Sequence, residues 1–220
     1  MIYIGLVDDH EITRKGIKTI IETDAGIEVV IEASNGIDLF NWLPTLTRLP
    51  DILILDVSMP GMNGYETIIQ LVAKFPAIKI LVFSLISEVN AIMNMINNGA
   101  SGYIHKSADP FSLIEAIKTI QKQDYYINDL VKREYFAMDD NNAVKMGQLG
   151  KINMTPREIE FIKLSGTNMT YKQMATYIGV SPKTLENYRE NLFKKLRLKN
   201  RAGLVAYGYR NGILNLSPGE

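Results

Sequence analysis

The sequence predicts a doubly wound α/β domain with a five-stranded parallel sheet, followed by a small all-α domain. Short apolar runs alternate with amphipathic segments over the first 125 residues, helix-capping motifs dominate from residue 151, and the two parts carry opposite charge. A chain of 220 residues is long enough for two small domains, each with its own core.

Five runs in the first part are rich in β-branched residues and alternate little with polar ones, which is typical of strands covered on both faces. They are Ile2–Val7, Ile27–Ile31, Ile52–Leu55, Lys79–Phe83 and Gly102–Ile104. The segments between them have apolar residues at helical spacing; the first contains Ile12, Ile17, Ile20 and Ile21. Strands that alternate with helices predict a parallel sheet, whose ligands bind at the carboxyl ends of the strands.

The formal net charge of zero hides an uneven distribution. Residues 1–125 hold 9 Lys/Arg against 15 Asp/Glu, residues 126–150 hold 3 against 4, and residues 151–220 hold 12 against 5. This division predicts a domain at 1–125, a partly ordered linker at 126–150 and a basic domain at 151–220 suited to nucleic acid.

Composition also excludes several classes of protein. The chain has no Cys, which excludes disulfides, thiolate metal sites and a cysteine nucleophile. No apolar run approaches the roughly 18 residues of a membrane span. The N-terminus lacks the basic start of a signal peptide. We therefore expect a cytoplasmic protein with no membrane partner.

Polar residues follow four of the predicted strands at the edge where ligands bind. Asp8 and Asp9 follow the first strand, Asp56 the third, Ser84 the fourth and Lys106 the fifth. Clustered carboxylates repel each other unless a cation joins them, and oxygen ligands favour Mg²⁺. The lysine and the hydroxyl suit phosphoryl oxygens, and Asp56 can serve as a nucleophile that forms an acyl phosphate. Each residue alone is more often a capping or solvated group, but the full set favours a site.

The basic part is predicted to be helical. Thr155 and Thr170 each stand three residues before Glu or Gln, which is a capping box, and Gly179 marks a turn. The predicted helices after the first box are Thr170–Tyr177, Ser181–Leu196 and Ala202–Arg210. A short helix, a turn with Gly and a basic helix indicate a helix-turn-helix that inserts its second helix into the major groove of double-stranded DNA.

The long helix and the residues after it supply the candidate DNA contacts. We expect phosphate contacts from Lys183, Thr184, Tyr188, Arg189, Lys194, Lys195, Lys199 and Arg201. We expect base contacts from Glu186, Asn187 and Glu190, because Asn suits adenine and a carboxylate accepts from the cytosine amino group. The alternative, a merely solvated basic face, is disfavoured by the capping boxes and the turn Gly.

The chain resembles the receiver domain of two-component response regulators in four motifs. These are Val7-Asp8-Asp9-His10, Leu55-Asp56-Val57-Ser58-Met59-Pro60-Gly61-Met62-Asn63-Gly64, Phe83-Ser84 and Tyr103-Ile104-His105-Lys106. From Thr155 to Arg201 it resembles the LuxR-type helix-turn-helix, and the whole is similar to the NarL/FixJ family. The resemblance implies a flavodoxin-like receiver sheet.

The resemblance also implies the chemistry of the receiver. Asp56 is implied to be the phospho-acceptor for a sensor histidine kinase. Mg²⁺ is implied to be coordinated by Asp9, Asp56 and the backbone carbonyl of Ser58, while Asp8 supports the ion through water. His10 belongs to the motif without a chemical role of its own, and it is interpreted as a surface residue at the start of a helix.

The same resemblance implies a switch and exposes two departures from the family's pattern. Ser84 and Lys106 are implied to contact the phosphoryl group, and Tyr103 to swing inward with Ser84. Leu85 stands where a small residue is usual, so we expect Leu85 and Ile86 to narrow phosphodonor access and to slow loss of the phosphoryl group. In the recognition helix, Glu186 stands where Lys is frequent in the family, which leaves the target sequence open.

The expected function is that of a response regulator in a two-component phosphorelay. Phosphorylation of Asp56 is expected to control homodimerisation and sequence-specific DNA binding, and thereby transcription. One alternative is a phosphorylation-independent DNA-binding regulator that uses the receiver as a dimerisation module. A second is an aspartyl-nucleophile phosphatase, but such enzymes carry an acid two residues after the nucleophile, where this chain has Ser58. The opposite charges also predict that the two halves dock when unphosphorylated.

Overall fold

The computed structural model describes residues 1–126 and 154–214. The first range contains the strands β1 (Ile2–Val7), β2 (Ile27–Ala33), β3 (Ile52–Leu55), β4 (Lys79–Ser84) and β5 (Gly102–His105). All neighbours pair in parallel in the order β2-β1-β3-β4-β5. The predicted doubly wound sheet is therefore confirmed. β1 and β3 have the predicted bounds, and the other three strands extend one or two residues further.

Helices cover both faces of the sheet. They are α1 (Glu11–Ile21), α2 (Gly36–Trp42), α3 (Gly64–Lys74), α4 (Val89–Asn98) and α5 (Ser112–Gln123), with a 3₁₀ turn at Leu43–Thr45. Within β3, Ile52 and Ile54 pack with α1 and α5, whereas Leu53 and Leu55 pack with α2, α3 and α4. This division explains why the strand is apolar at every position. Ile12 of α1 differs from the predicted pattern because its side chain is exposed.

The second range forms the helices α6 (Pro156–Ser165), α7 (Tyr171–Ile178), α8 (Pro182–Leu196) and α9 (Arg201–Arg210). Both predicted capping boxes are present, at Thr155 and Thr170, and Ser181 caps α8 through the backbone N–H of Thr184. Gly179 has a φ of +74°, a left-handed conformation that favours glycine in the turn between α7 and α8. The four helices share a core of their own, and the observed helices begin one residue from the predicted starts.

The two parts of the chain contact each other through α4 and α9. Ala202, Val205 and Ala206 of α9 belong to the same buried apolar cluster as the residues of α4. The side-chain amide of Asn200 donates a 2.8 Å hydrogen bond to the backbone carbonyl of Ala100. The sequence predicts docking from opposite charges, but apolar residues form the contact between α4 and α9. A cation also takes part, because the Arg201 guanidinium of α9 lies 5.2 Å from the centre of the Tyr125 ring.

The structure leaves the predicted linker and domain bounds untested. The predicted linker at 126–150 lies outside the described residues except for Tyr126, which forms an isolated bridge with Gly102. The division of the chain at residues 125 and 150 therefore stays a prediction.

Among residues 1–126 and 154–214, we find no helix long and apolar enough to cross a membrane.

Candidate functional site: an acid–lysine cluster and a basic helix

The acidic residues of the first part meet at the carboxyl edge of the sheet. Asp8 follows β1 and Asp56 follows β3, and they are only 3% and 4% exposed. Asp9 is half-buried beside them. Two buried carboxylates in contact with apolar strands are unfavourable without compensating charge. The structure thus brings together the three acids that the strand ends place at this edge.

Lys106 supplies part of the compensation. Its Nζ lies 2.7 Å from Asp8 Oδ2 and 2.8 Å from Asp56 Oδ2. Burial by itself lowers the pKa of Lys106, but the hydrogen bonds to Asp56 and Asp8 outweigh it and raise this pKa above its usual value. Lys106 thus stays charged and bridges the two buried acids.

The other carboxylate oxygen of Asp56 and that of Asp8 accept hydrogen bonds from backbone N–H groups in the loops that follow β3 and β1. Asp56 Oδ1 accepts a 2.7 Å hydrogen bond from the backbone N–H of Val57, and Asp8 Oδ1 accepts one of 2.8 Å from that of His10. Asp9 Oδ1 is buried and accepts no hydrogen bond, although His10 Nδ1 lies 2.9 Å from it. Each of Asp8, Asp9, His10 and Asp56 offers one ligand atom, and these atoms lie within 4.8 Å of one another. The orphaned oxygen and the oxygen-rich donor set fit a divalent cation.

A close backbone contact shapes this edge of the sheet. Gly64 begins α3, and a Cβ added to it would lie 2.6 Å from the backbone oxygen of Asp56 and from Val57 Cα. Its N–H donates a 2.9 Å hydrogen bond to the carbonyl of Val57. The sequence motif contains Gly64, yet sequence reasoning assigned it no role. The close approach shows that glycine lets α3 pack directly against the loop after Asp56.

Tyr103 and Ser84 occupy the neighbouring strands β5 and β4, and both are buried. The Tyr103 hydroxyl donates to the backbone carbonyls of Ser84, at 3.1 Å, and of Ile86. Burial raises the pKa of Tyr103 to about 12, so its hydroxyl keeps its proton at neutral pH. Tyr103 is buried in this structure, and its inward swing with Ser84 stays a prediction. Leu85, in contrast, is largely exposed, and its expected effect on phosphodonor access stays a prediction.

The predicted DNA contacts on α8 and just after it differ in their exposure. Lys183, Asn187, Glu190, Lys194 and Lys199 are exposed. Thr184 is partly buried, and its hydroxyl lies 2.8 Å from the Ser181 hydroxyl at the helix start.

Five of the predicted contact residues of α8 have partners within the protein. Glu186 forms ion pairs with Lys183 at 3.0 Å and with Arg189 at 3.7 Å. The Tyr188 hydroxyl accepts a 3.0 Å hydrogen bond from Arg157. Lys195 pairs with Glu158 at 2.8 Å. Glu186 therefore neutralises two of the cations that were expected to contact phosphate.

The prediction that Arg201 contacts a DNA phosphate is wrong. It is 1% exposed, and its guanidinium donates hydrogen bonds to the carbonyls of Ser165 at 2.9 Å and of Thr167 and Met169 at 2.8 Å. Its guanidinium also lies over the rings of Tyr125 and Tyr171, 5.2 and 5.4 Å from their centres. A buried guanidinium with these partners is not available to a DNA phosphate. Arg201 instead joins the loop between α6 and α7 to the start of α9.

These features define a class of protein, a receiver domain joined to a helix-turn-helix DNA-binding domain. Residues 4–118 match the response regulator receiver domain, and residues 153–207 match the bacterial regulatory proteins of the luxR family.

Individual proteins of similar sequence or structure support the same family assignment. The oxygen regulatory protein NreC of Staphylococcus carnosus is 31% identical over 96% of this chain and 99% of its own length. The response regulator UvrY of Escherichia coli K12 is 29% identical over 98% of this chain and 97% of its own. A solved structure of the RcsB response regulator of Salmonella typhimurium has a TM-score of 0.57 and 25% identity, covering 94% of this chain and 97% of that one. The chain belongs to the NarL/FixJ family of response regulators.

Proposed function

We propose that Asp56 accepts a phosphoryl group from the phosphohistidine of a sensor histidine kinase. A carboxylate oxygen of Asp56 attacks the phosphorus, the phosphorus–nitrogen bond breaks, and its electron pair returns to the kinase imidazole. The observation that carries the proposal is the pairing of the buried Asp56 with Lys106, next to two further acids. This arrangement offers a nucleophile and the charges that a transferred phosphoryl group needs.

We propose Mg²⁺ as the cofactor of this site. Asp9, Asp56 and the carbonyl of Ser58 are its proposed ligands, and Asp8 acts through water. When bound, the ion neutralises the charge that the phosphoryl oxygens bring to the acidic edge. The buried Asp9 oxygen without a hydrogen-bond partner supports this assignment, because a cation would satisfy it.

We propose that the new charge acts through Ser84, Lys106 and Tyr103. A phosphoryl group adds about −1.5 to −2 units of charge, which attracts Lys106 away from Asp8 and offers an acceptor to the Ser84 hydroxyl. Tyr103 links this change to α4, because its hydroxyl holds the carbonyls of Ser84 and Ile86 in the β4–α4 loop. A full shift from 1:99 to 99:1 requires about 5.5 kcal/mol of differential stabilisation.

We propose that this shift releases α9 from α4, so that the second domain pairs with that of another copy on DNA. Paired half-sites suit a homodimer. The contact between α9 and α4 supports the proposal, since the same α4 follows the loop that Tyr103 holds. The protein acts in the cytoplasm on this proposal, where its DNA and the phosphate-donating domain of the kinase are located.

Mass spectrometry after incubation with acetyl phosphate and Mg²⁺ tests the proposed phospho-acceptor. We expect a single phosphate adduct on the wild-type chain and none on Asp56→Asn. Asp51→Asn, at the other end of β3, is a matched control that keeps the adduct. An adduct on none of the three proteins would favour the phosphorylation-independent regulator, whereas sustained hydrolysis of a phosphomonoester would favour the phosphatase.

The acidic residues on α8 give a second prediction, which concerns DNA sequence preference. We expect Glu186→Ala to change the preferred bases and to free Lys183 and Arg189 for phosphate, because Glu186 now pairs with both. We expect Lys194→Ala to weaken binding to all sequences alike and to reduce the salt slope by about one. Binding of each variant to a randomised duplex library at two salt concentrations measures both effects. Equal losses on every sequence for both variants would contradict the assignment.

A further inference from the structure

His105 ends β5 directly before Lys106, and the mechanism described above gives it no role. Its side chain is half-buried and lies against the loop between β4 and α4. Its Nε2 is 3.1 Å from the backbone carbonyl oxygen of Leu85 and 3.4 Å from the Ser87 hydroxyl. The imidazole therefore contacts the loop that joins the end of β4, where Ser84 lies, to the start of α4.

The hydrogen bonds at the other ring nitrogen define the tautomer of His105. Nδ1 accepts a 3.2 Å hydrogen bond from the backbone N–H of Ser107, and the Ser107 hydroxyl lies 2.6 Å from the same nitrogen. A ring nitrogen that accepts a hydrogen bond carries no proton, so the proton of the neutral imidazole is on Nε2. Nε2–H thus donates to the carbonyl of Leu85, the nearer of its two neighbours in the loop.

The bond from His105 completes a series of contacts between β5 and this loop. Tyr103 and His105 are two residues apart in β5, so they lie on the same face of the sheet. The Tyr103 hydroxyl donates to the carbonyls of Ser84 and Ile86. His105 donates to the carbonyl of Leu85, which lies between them in the chain. Three consecutive backbone carbonyls on the way to α4 are thus held by side chains of β5.

We propose that His105 is a positioning residue of the switch, which keeps the β4–α4 loop in the arrangement that accompanies the contact of α9 with α4. The inference deepens the proposed function and rests on it, because it concerns the same loop. The Ser84 hydroxyl must approach a phosphoryl group on Asp56, and the hydrogen bond at the next residue, Leu85, opposes that movement. His105 therefore favours the docked state until phosphorylation supplies the free energy that breaks its bond.

Nitrogen NMR of the histidine rings tests the assigned hydrogen bond. The chain contains two histidines, and the spectrum of His105→Gln identifies the signals of His105 by their loss. At about pH 8, where an ordinary imidazole is neutral, we expect the proton of His105 on Nε2 and an unprotonated Nδ1. A proton on Nδ1 would overturn the proposal, because Nε2 could not then donate to the carbonyl of Leu85.

Hydrogen exchange of the unphosphorylated full chain tests the positioning role. We expect His105→Leu to speed exchange at Ala202–Ala206 of α9 about fivefold, the factor that corresponds to the loss of one hydrogen bond. His105→Gln should restore rates near those of the wild type, because its side-chain amide can donate to the same carbonyl. Amides of β1 should keep their protection in both variants, which a general loss of stability would not allow.

Ser87→Ala is the matched control, because it removes the hydroxyl beside Nε2 and keeps the carbonyl of Leu85. We expect this variant to exchange like the wild type. Wild-type rates at Ala202–Ala206 in His105→Leu would overturn the proposal. Equal acceleration in His105→Gln or in Ser87→Ala would also overturn it.

Treatment with acetyl phosphate and Mg²⁺ separates this inference from the function on which it rests. Once Asp56 is phosphorylated, we expect the wild type and His105→Leu to exchange at the same rate, because the bond to Leu85 is then broken in both. A difference that persists in the phosphorylated proteins would overturn the role of His105. The absence of any phosphate adduct would contradict the proposed function, whereas the unphosphorylated proteins would still decide whether His105 holds the loop.

Discussion

Replacement of Arg201 by Ala is expected to destabilise the helix-turn-helix domain by about 3 to 5 kcal/mol, the cost of breaking a buried charged network. The guanidinium donates to the carbonyls of Ser165, Thr167 and Met169, and these acceptors would be left buried without partners. Burial lowers the pKa of Arg201, but the carbonyls and the neighbouring tyrosine rings stabilise its charge.

Hydrogen exchange of the full chain measures this effect domain by domain. We expect amides in α6 and α9 to lose protection in Arg201→Ala, while those in β1 and β3 keep it. Lys199→Ala is the matched control, since Lys199 is exposed two residues earlier. Arg201→Lys should restore little, because an ammonium group cannot reach the three carbonyls as the planar guanidinium does. Unchanged protection in Arg201→Ala would contradict the structural role.

Replacement of Lys106 by Met is expected to be the most damaging change in the receiver. The variant leaves Asp8 and Asp56 buried and uncompensated, which costs about 3 kcal/mol or more in free energy of unfolding. Mg²⁺ should restore part of the loss, because the ion supplies the missing positive charge. Urea denaturation of the wild type and of Lys106→Met, with and without Mg²⁺, measures both effects.

The pH of that experiment follows from the raised pKa of Lys106. A raised folded-state pKa means that the stabilisation is fully present below the ordinary lysine pKa and is lost as the pH rises through the folded value. Measurements between pH 7 and 8 therefore compare a fully charged Lys106 with its absence. Lys122→Met, which removes an exposed lysine from α5, is the control. A Lys106→Met variant as stable as this control without Mg²⁺ would contradict the account.

Much of the receiver could be predicted from sequence, for a physical reason. A strand buried on both faces must be apolar throughout, so the runs at β1 and β3 identify the strands themselves. Parallel strands end at one edge, so residues that follow them, such as Asp56 and Lys106, must converge. The capping boxes at Thr155 and Thr170 identified helix starts because they are local hydrogen-bond patterns.

Features that depend on tertiary packing could not be predicted in the same way. Arg201 was assigned to DNA because a cation in a basic domain is usually exposed. Its burial instead depends on carbonyls near the loop between α6 and α7, which no local sequence pattern specifies. Docking was predicted from charge, but Val205 and its apolar neighbours in α9 form the contact. The nearness of His10 to Asp9 depends on a side-chain orientation that no sequence pattern specifies.

On the proposed function, phosphorylation of Asp56 releases the DNA-binding domain from the receiver. The most direct measurement is hydrogen exchange of the amides in α4 and α9, before and after treatment with acetyl phosphate and Mg²⁺, in the wild type and in Asp56→Asn. We expect faster exchange at Ala202–Ala206 in the treated wild type and no change in the variant. Equal protection of these amides in phosphorylated and unphosphorylated wild-type protein would contradict it.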